Sequence, residues 1–92
     1  MKVDFYATLR QIVGKKRVDF SYRDGITVRE LLGEVISQYP QLEPEMLDEH
    51  GELYRHVHVF INGRDTPYLE NGADTPLKED DTVSMFPAVG GG

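Results

Sequence analysis

Ninety-two residues give one small domain with room for one core and no deep two-lobed cleft. The net charge of −6 has the wrong sign for phosphate backbones and disfavours nucleic acid as a partner, and no apolar run reaches the roughly 20 residues of a membrane span. With no cysteine there is no disulfide, thiolate metal site or cysteine nucleophile, which permits a reducing cytoplasm, and the strand-like pattern starting at Lys2 leaves no space for a signal peptide.

"KVDFYA" alternates, with Val3, Phe5 and Ala7 on one face and Lys2, Asp4 and Tyr6 on the other; it predicts a strand with one face on a core. "TLRQIVG" follows as a helical turn closing at Gly14. Lys15, Lys16 and Arg17 are expected in a solvated loop, and "RVDFSY" alternates again with Val18, Phe20 and Tyr22 on one face. The two strands read as an antiparallel hairpin with a longer loop.

The clearest helix opens at Thr27. Thr27 and Glu30 have the spacing of a capping box, and Ile26 and Leu31 that of a hydrophobic staple. Val28, Leu31, Leu32, Val35, Ile36 and Tyr39 recur at helical spacing, and Pro40 ends the element. Gly33 weakens it by about 1 kcal/mol relative to alanine.

A helical turn is expected around Pro44 to Leu47. "HVHVFINGRD" then returns to strand, with Val57, Val59 and Ile61 on one side and His56, His58 and Phe60 on the other, before an Asn62-Gly63 hairpin turn. The segment from Thr66 to Leu77 reads as turns. "KEDDTVSMF" predicts a last strand with Val83 and Met85 inward and Ser84 and Phe86 outward. The order β, β, α, β, a short β, β makes an α+β sandwich: a mixed sheet covered on one face by one main helix.

The sheet's outer face should be wet, yet it carries Tyr6, Phe60 and Phe86 among Asp4, Asp19, Ser21, His56, His58 and Ser84. Clustered aromatics there would mark a protein-binding patch; scattered ones would mean little. His56 and His58 share a strand face but lack a second ligand cluster, so outward polar residues are the better reading and no metal is expected. Glu79, Asp80 and Asp81 fall in a turn with no evident cleft, which argues against acid–base catalysis.

The element order, the opening "KVDFYATLRQIVG" and the ending "DDTVSMFPAVGGG" resemble the MoaD/ThiS family of ubiquitin-like sulfur carriers, most of all its MoaD branch, the small subunits of molybdopterin synthase. The resemblance implies a β-grasp domain over residues 1–86, with first and last strands adjacent and parallel, and a tail over residues 87–92. It implies that a MoeB-like activating enzyme uses ATP to adenylate the carboxylate of Gly92, which then becomes a thiocarboxylate. A MoaE-like large subunit would receive the sulfur during molybdenum cofactor biosynthesis. The carrier itself binds no cofactor and is non-catalytic alone. Related archaeal proteins are ubiquitin-like modifiers, so conjugation of Gly92 to lysines, or sulfur delivery in another pathway, is the alternative; an interaction domain with an inert tail is the third class.

Tyr6 and Phe86 fall where such proteins present aromatics to partners, and Phe60 joins them by strand parity. In the tail, Pro87 stiffens the exit from the sheet, Val89 anchors, and Gly90 and Gly91 thread a narrow channel that admits backbone without Cβ. Gly90 stands where the family often has a small non-glycine residue. Extended, residues 87–92 span about 20 Å, enough to carry the Gly92 carboxyl into a buried phosphate site.

Overall fold

The structure is a computed structural model, and it describes residues 1–87. Five strands form one mixed sheet in the order β2-β1-β5-β3-β4. β1 (Lys2–Phe5) pairs antiparallel with β2 (Arg17–Asp19) and parallel with β5 (Thr82–Phe86). β3 (His58–Ile61) runs antiparallel to β5 and to the short edge strand β4 (Arg64–Asp65). First and last strands thus lie side by side at the centre and point the same way.

One face of the sheet is dry. Val3, Phe5, Val18, Phe20, Val57, Val59, Ile61, Val83 and Met85 are all buried there, the inward set that alternation predicts. The cover is α2 (Val28–Gln38), which buries Val28, Leu31, Leu32 and Val35. Its start follows from the capping box: the Glu30 amide donates to Thr27 Oγ1 (3.1 Å) and the Thr27 amide to Glu30 Oε1 (3.0 Å). Ile26 and Leu31, the expected staple pair, are both buried. The helix stops at Gln38 because Pro40 disfavours helical geometry at Tyr39. The Asn62-Gly63 turn closes β3 onto β4 with positive φ at both residues (53° and 84°), which matches the twist of the flanking strands.

Several expectations need correction. Ala7 is not an inward strand residue: β1 ends at Phe5, and Ala7 is exposed, has φ 52° and opens α1 (Ala7–Val13). The helical turn expected there is a two-turn helix that buries Leu9 and closes on Gly14 at φ 84°. β2 ends at Asp19, so Tyr22 keeps its parity without being in a strand. Arg17 belongs to β2 and not to a solvated loop. The helical turn expected around Pro44 to Leu47 is present as α3 (Glu43–Met46); what was not expected is the 3₁₀ turn (Pro40–Leu42) that runs into it, and this pair buries Leu42 and Met46 at the edge of the core. Among the described residues no helix is long and apolar enough to cross a membrane.

Candidate functional site: an aromatic cluster at the root of the tail

The outer face holds the site. β5 ends at Phe86, and alternation sets its ring on the side opposite Met85. Next to it, the Tyr6 amide donates to the Met85 carbonyl (3.2 Å), which prolongs the parallel ladder by one residue and brings the two outward rings together. The Tyr6 and Phe86 rings stack at 4.2 Å between centroids and 9° between planes. From the other neighbour, β3, Phe60 meets Phe86 edge-on at 5.3 Å and 86°. Tyr6, Phe60 and Phe86 are therefore one cluster and not three scattered side chains. Each is half-buried, so the cluster presents ring area to solvent while its geometry is fixed by the strand register.

Charged groups flank the rings. On the β1 side, Asp4 is only 5% exposed and takes both arms of Arg17, Nε on Oδ1 (2.5 Å) and Nη2 on Oδ2 (2.9 Å). This fork holds the Asp4 carboxyl below its ordinary value, Arg17 being the main cause and Lys16 and Arg10 adding to it. Arg10 lies over the Tyr6 ring at 5.7 Å and its Nε donates to the Phe5 carbonyl (3.2 Å). On the β3 side, His58 sits 6.0 Å from Phe60, and its Nδ1 is 2.8 Å from Asp65 Oδ2.

Not every outer-face residue joins. His56 lies before β3 in a turn and stacks on Tyr54 at 5.0 Å, so the His56–His58 strand pair expected from alternation is not formed. Asp19 accepts from the Met1 ammonium at 3.0 Å, away from the rings. Asp81, one of the three acidic turn residues, accepts from the Lys78 amide (2.8 Å) and from Asn62 (2.9 Å), which makes it a turn brace. Of the tail, only Pro87 is described, half-buried behind Phe86; the roles expected of Val89, Gly90, Gly91 and Gly92 lie outside the described residues.

Sequence reasoning missed Arg10, Arg17 and Asp65 at the site. The first two were accessible: Arg10 is four residues from Tyr6 on an adjoining helix, and hairpin pairing of β1 with β2 puts Arg17 opposite Asp4. Asp65 needed the Asn-Gly turn to be carried through to the register of β4.

The ThiS family matches residues 3–92, nearly the whole sequence. The chain belongs to this family of ubiquitin-like sulfur carriers. Small archaeal modifier protein 3 of Haloferax volcanii is 36% identical over 92 residues, spanning 100% of this chain and 98% of the relative. The crystal structure of small archaeal modifier protein 1 from the same organism superposes with a TM-score of 0.87 at 26% identity, over 99% of this chain and 97% of that one. A chain in the BexX/CysO complex of Amycolatopsis orientalis gives a TM-score of 0.79 at 29% identity, over 99% and 98%. The fold is thus the β-grasp of ubiquitin-like proteins, with the parallel β1–β5 pair at its centre.

Proposed function

We propose that this ubiquitin-like carrier docks through Tyr6, Phe60 and Phe86 and delivers sulfur from its last residue, Gly92. The observation that carries the reading is continuity. Phe86, the ring shared by both aromatic pairs, is followed at once by Pro87 and the Gly-rich segment, so a partner that grips the rings holds the root of the tail. About 20 Å of extended chain then separates the grip from the reacting carboxylate.

A carboxylate is a poor acyl donor. Its attack on the α-phosphate of ATP, in an activating enzyme, releases pyrophosphate and leaves an acyl adenylate. Sulfide sulfur then forms a bond to the Gly92 carbonyl carbon, and the C–O bond to AMP breaks. The resulting thiocarboxylate is the donor. In this reading the chain's work is presentation, with orientation of the reacting atom the main contribution. The finer assignment is the small subunit of a molybdopterin synthase, with a large subunit receiving the sulfur into the dithiolene. The Phe-Pro-x-Val ending before the glycines supports it.

A second reading has its own support. The 36% identity to a small archaeal modifier protein over the full length favours attack of a lysine amine on the same adenylate, giving an isopeptide bond at Gly92. Both readings need the activated tail. ATP–pyrophosphate exchange with the adenylating enzyme of the same organism tests it: exchange with the 92-residue chain and none after deletion of Gly92 is the expected result. Equal exchange by the chain lacking Gly92 overturns both.

A further inference from the structure

The cations of this acidic chain are unevenly placed. Its first 17 residues carry five of the ten Lys and Arg but one of the sixteen Asp and Glu. Residues 1–17 therefore have an excess of four positive charges, while residues 18–92 have an excess of ten negative ones. The fold turns this asymmetry into a direction. Because β1 and β5 are parallel, the acidic turn Glu79–Asp81 sits at the end where Lys2 meets Thr82, and the tail leaves from the opposite end, where Phe5 meets Met85. At that opposite end α1 closes on Gly14 and Lys15 and Lys16 lead into β2, with the Phe5 amide donating to the Lys16 carbonyl at 2.7 Å.

Arg10, Lys15 and Lys16 are all exposed, and among the described residues none has a carboxylate within 4.0 Å. Arg23 is held by Glu30 and Glu34, Arg29 by Asp74 and Glu52, and Arg17 by Asp4. Lys2, Arg55, Arg64 and Lys78 also have no such partner among the described residues but are spread along the chain; three such cations within seven residues mark this corner. Only one carboxylate, Asp4, lies in this part of the chain, and it is already taken by Arg17. Arg10 and Lys16 are near enough to help lower its carboxyl, so these two share one field, and Lys15 adjoins Lys16 in the exposed turn after Gly14. Arg10 also lies against Tyr6, which joins the charged corner to the aromatic cluster.

We infer that Arg10, Lys15 and Lys16 form a basic collar at the root of the tail that meets an acidic rim around the tail-accepting opening of the protein that activates Gly92. This rests on the reading that Gly92 is activated. The collar steers: the molecule behaves as a dipole whose positive end bears the tail, so an acidic rim pulls in the correct end and repels the other. A protein occupant fits better than RNA. Three cations beside half-buried rings match a small protein rim, whereas the excess of ten negative charges over residues 18–92 opposes a phosphate backbone.

The test is steady-state pyrophosphate exchange with the adenylating enzyme, measuring KM for the carrier at about 0.05 M and about 0.5 M salt. Lys15→Glu/Lys16→Glu is compared with Arg55→Glu/Lys78→Glu, which makes the same change in net charge on exposed residues elsewhere. The collar variant is expected to raise KM about tenfold at low salt with kcat little changed, the effect shrinking at high salt, while the control pair moves KM less than about twofold. Equal KM shifts in the two pairs, or none in either, overturn the collar. Binding of bulk tRNA by the unmodified chain that is lost in the collar variant assigns the corner to nucleic acid and also overturns it. Absence of exchange with the unmodified chain is the separate result that removes the underlying reading and this inference with it.

Discussion

Replacing Phe86 by aspartate should cost more in docking than in folding. Phe86 makes the stack with Tyr6 at 4.2 Å and the edge contact with Phe60 at 5.3 Å, and both vanish in Phe86→Asp. At about 0.5–1.5 kcal/mol for each aromatic pair, the domain loses about 1–3 kcal/mol. For a chain of this size that is a fall in Tm of roughly 5–20 °C. The core beneath is untouched, because Met85 and Val83 face the other way. Docking suffers separately. A half-buried ring at the centre of a contact is a hot-spot residue, worth about 2 kcal/mol or more, and a carboxylate in its place must also be desolvated. Affinity for the activating enzyme should therefore fall about 30-fold or more. Calorimetric titration below the variant's own Tm measures this, with circular dichroism to show that the fold is kept. Phe86→Leu, which keeps apolar area and loses the stack, should fall between the two. A folded Phe86→Asp that binds within about twofold of the unmodified protein would refute the outer face as the docking surface.

Other substitutions separate the parts of the account. Gly91→Val should sharply reduce adenylate formation while changing docking affinity little, since bulk and β-branching near the reacting carboxylate misplace it and a 1 Å error costs about 100-fold; equal losses in exchange and in binding would make the tail a general binding element. Thr27→Ala removes the capping-box hydroxyl of α2 and should lower stability by about 1 kcal/mol in chemical denaturation without affecting exchange. Asp4 titrates below the ordinary carboxylate range in the folded chain, so its ion pair with Arg17 stabilises fully above about pH 4–5 and is lost as pH falls through the lowered value; urea midpoints should drop over that acid range, and Asp4→Asn should flatten the drop. An unaltered pH slope in Asp4→Asn would show that other carboxylates carry the acid sensitivity.

Much of this architecture was legible because period-2 and helical patterns reflect burial on one face. The nine inward residues of the sheet, the Thr27–Glu30 cap and the Asn62-Gly63 turn are all local signals, and each stands as read. Boundaries were less legible. Ala7 keeps the alternation of β1, but a positive φ there diverts the chain into α1, and nothing in an alanine announces that. His56 keeps the alternation of β3, yet the strand starts two residues later and its ring finds Tyr54 instead. The aromatic cluster was readable in membership but not in geometry. Parity puts Tyr6, Phe60 and Phe86 on one face, whereas their contact depends on β5 lying between β1 and β3, a non-local pairing. The ion pairs at the rim depend instead on the two local hairpins, β1–β2 for Asp4 with Arg17 and β3–β4 for His58 with Asp65, whose registers were not carried through.

The central claim is that the carboxyl of Gly92 is the reacting group. Intact mass spectrometry of the protein isolated from its native cell tests it most directly, read together with fragmentation to locate any change. The account predicts a population heavier by the replacement of one oxygen by one sulfur, confined to Gly92; lysine-linked products through the same residue would retain the activated tail and select the modifier reading. A chain whose Gly92 carries only an ordinary carboxylate, even when sulfur transfer is active in the cell, would contradict it.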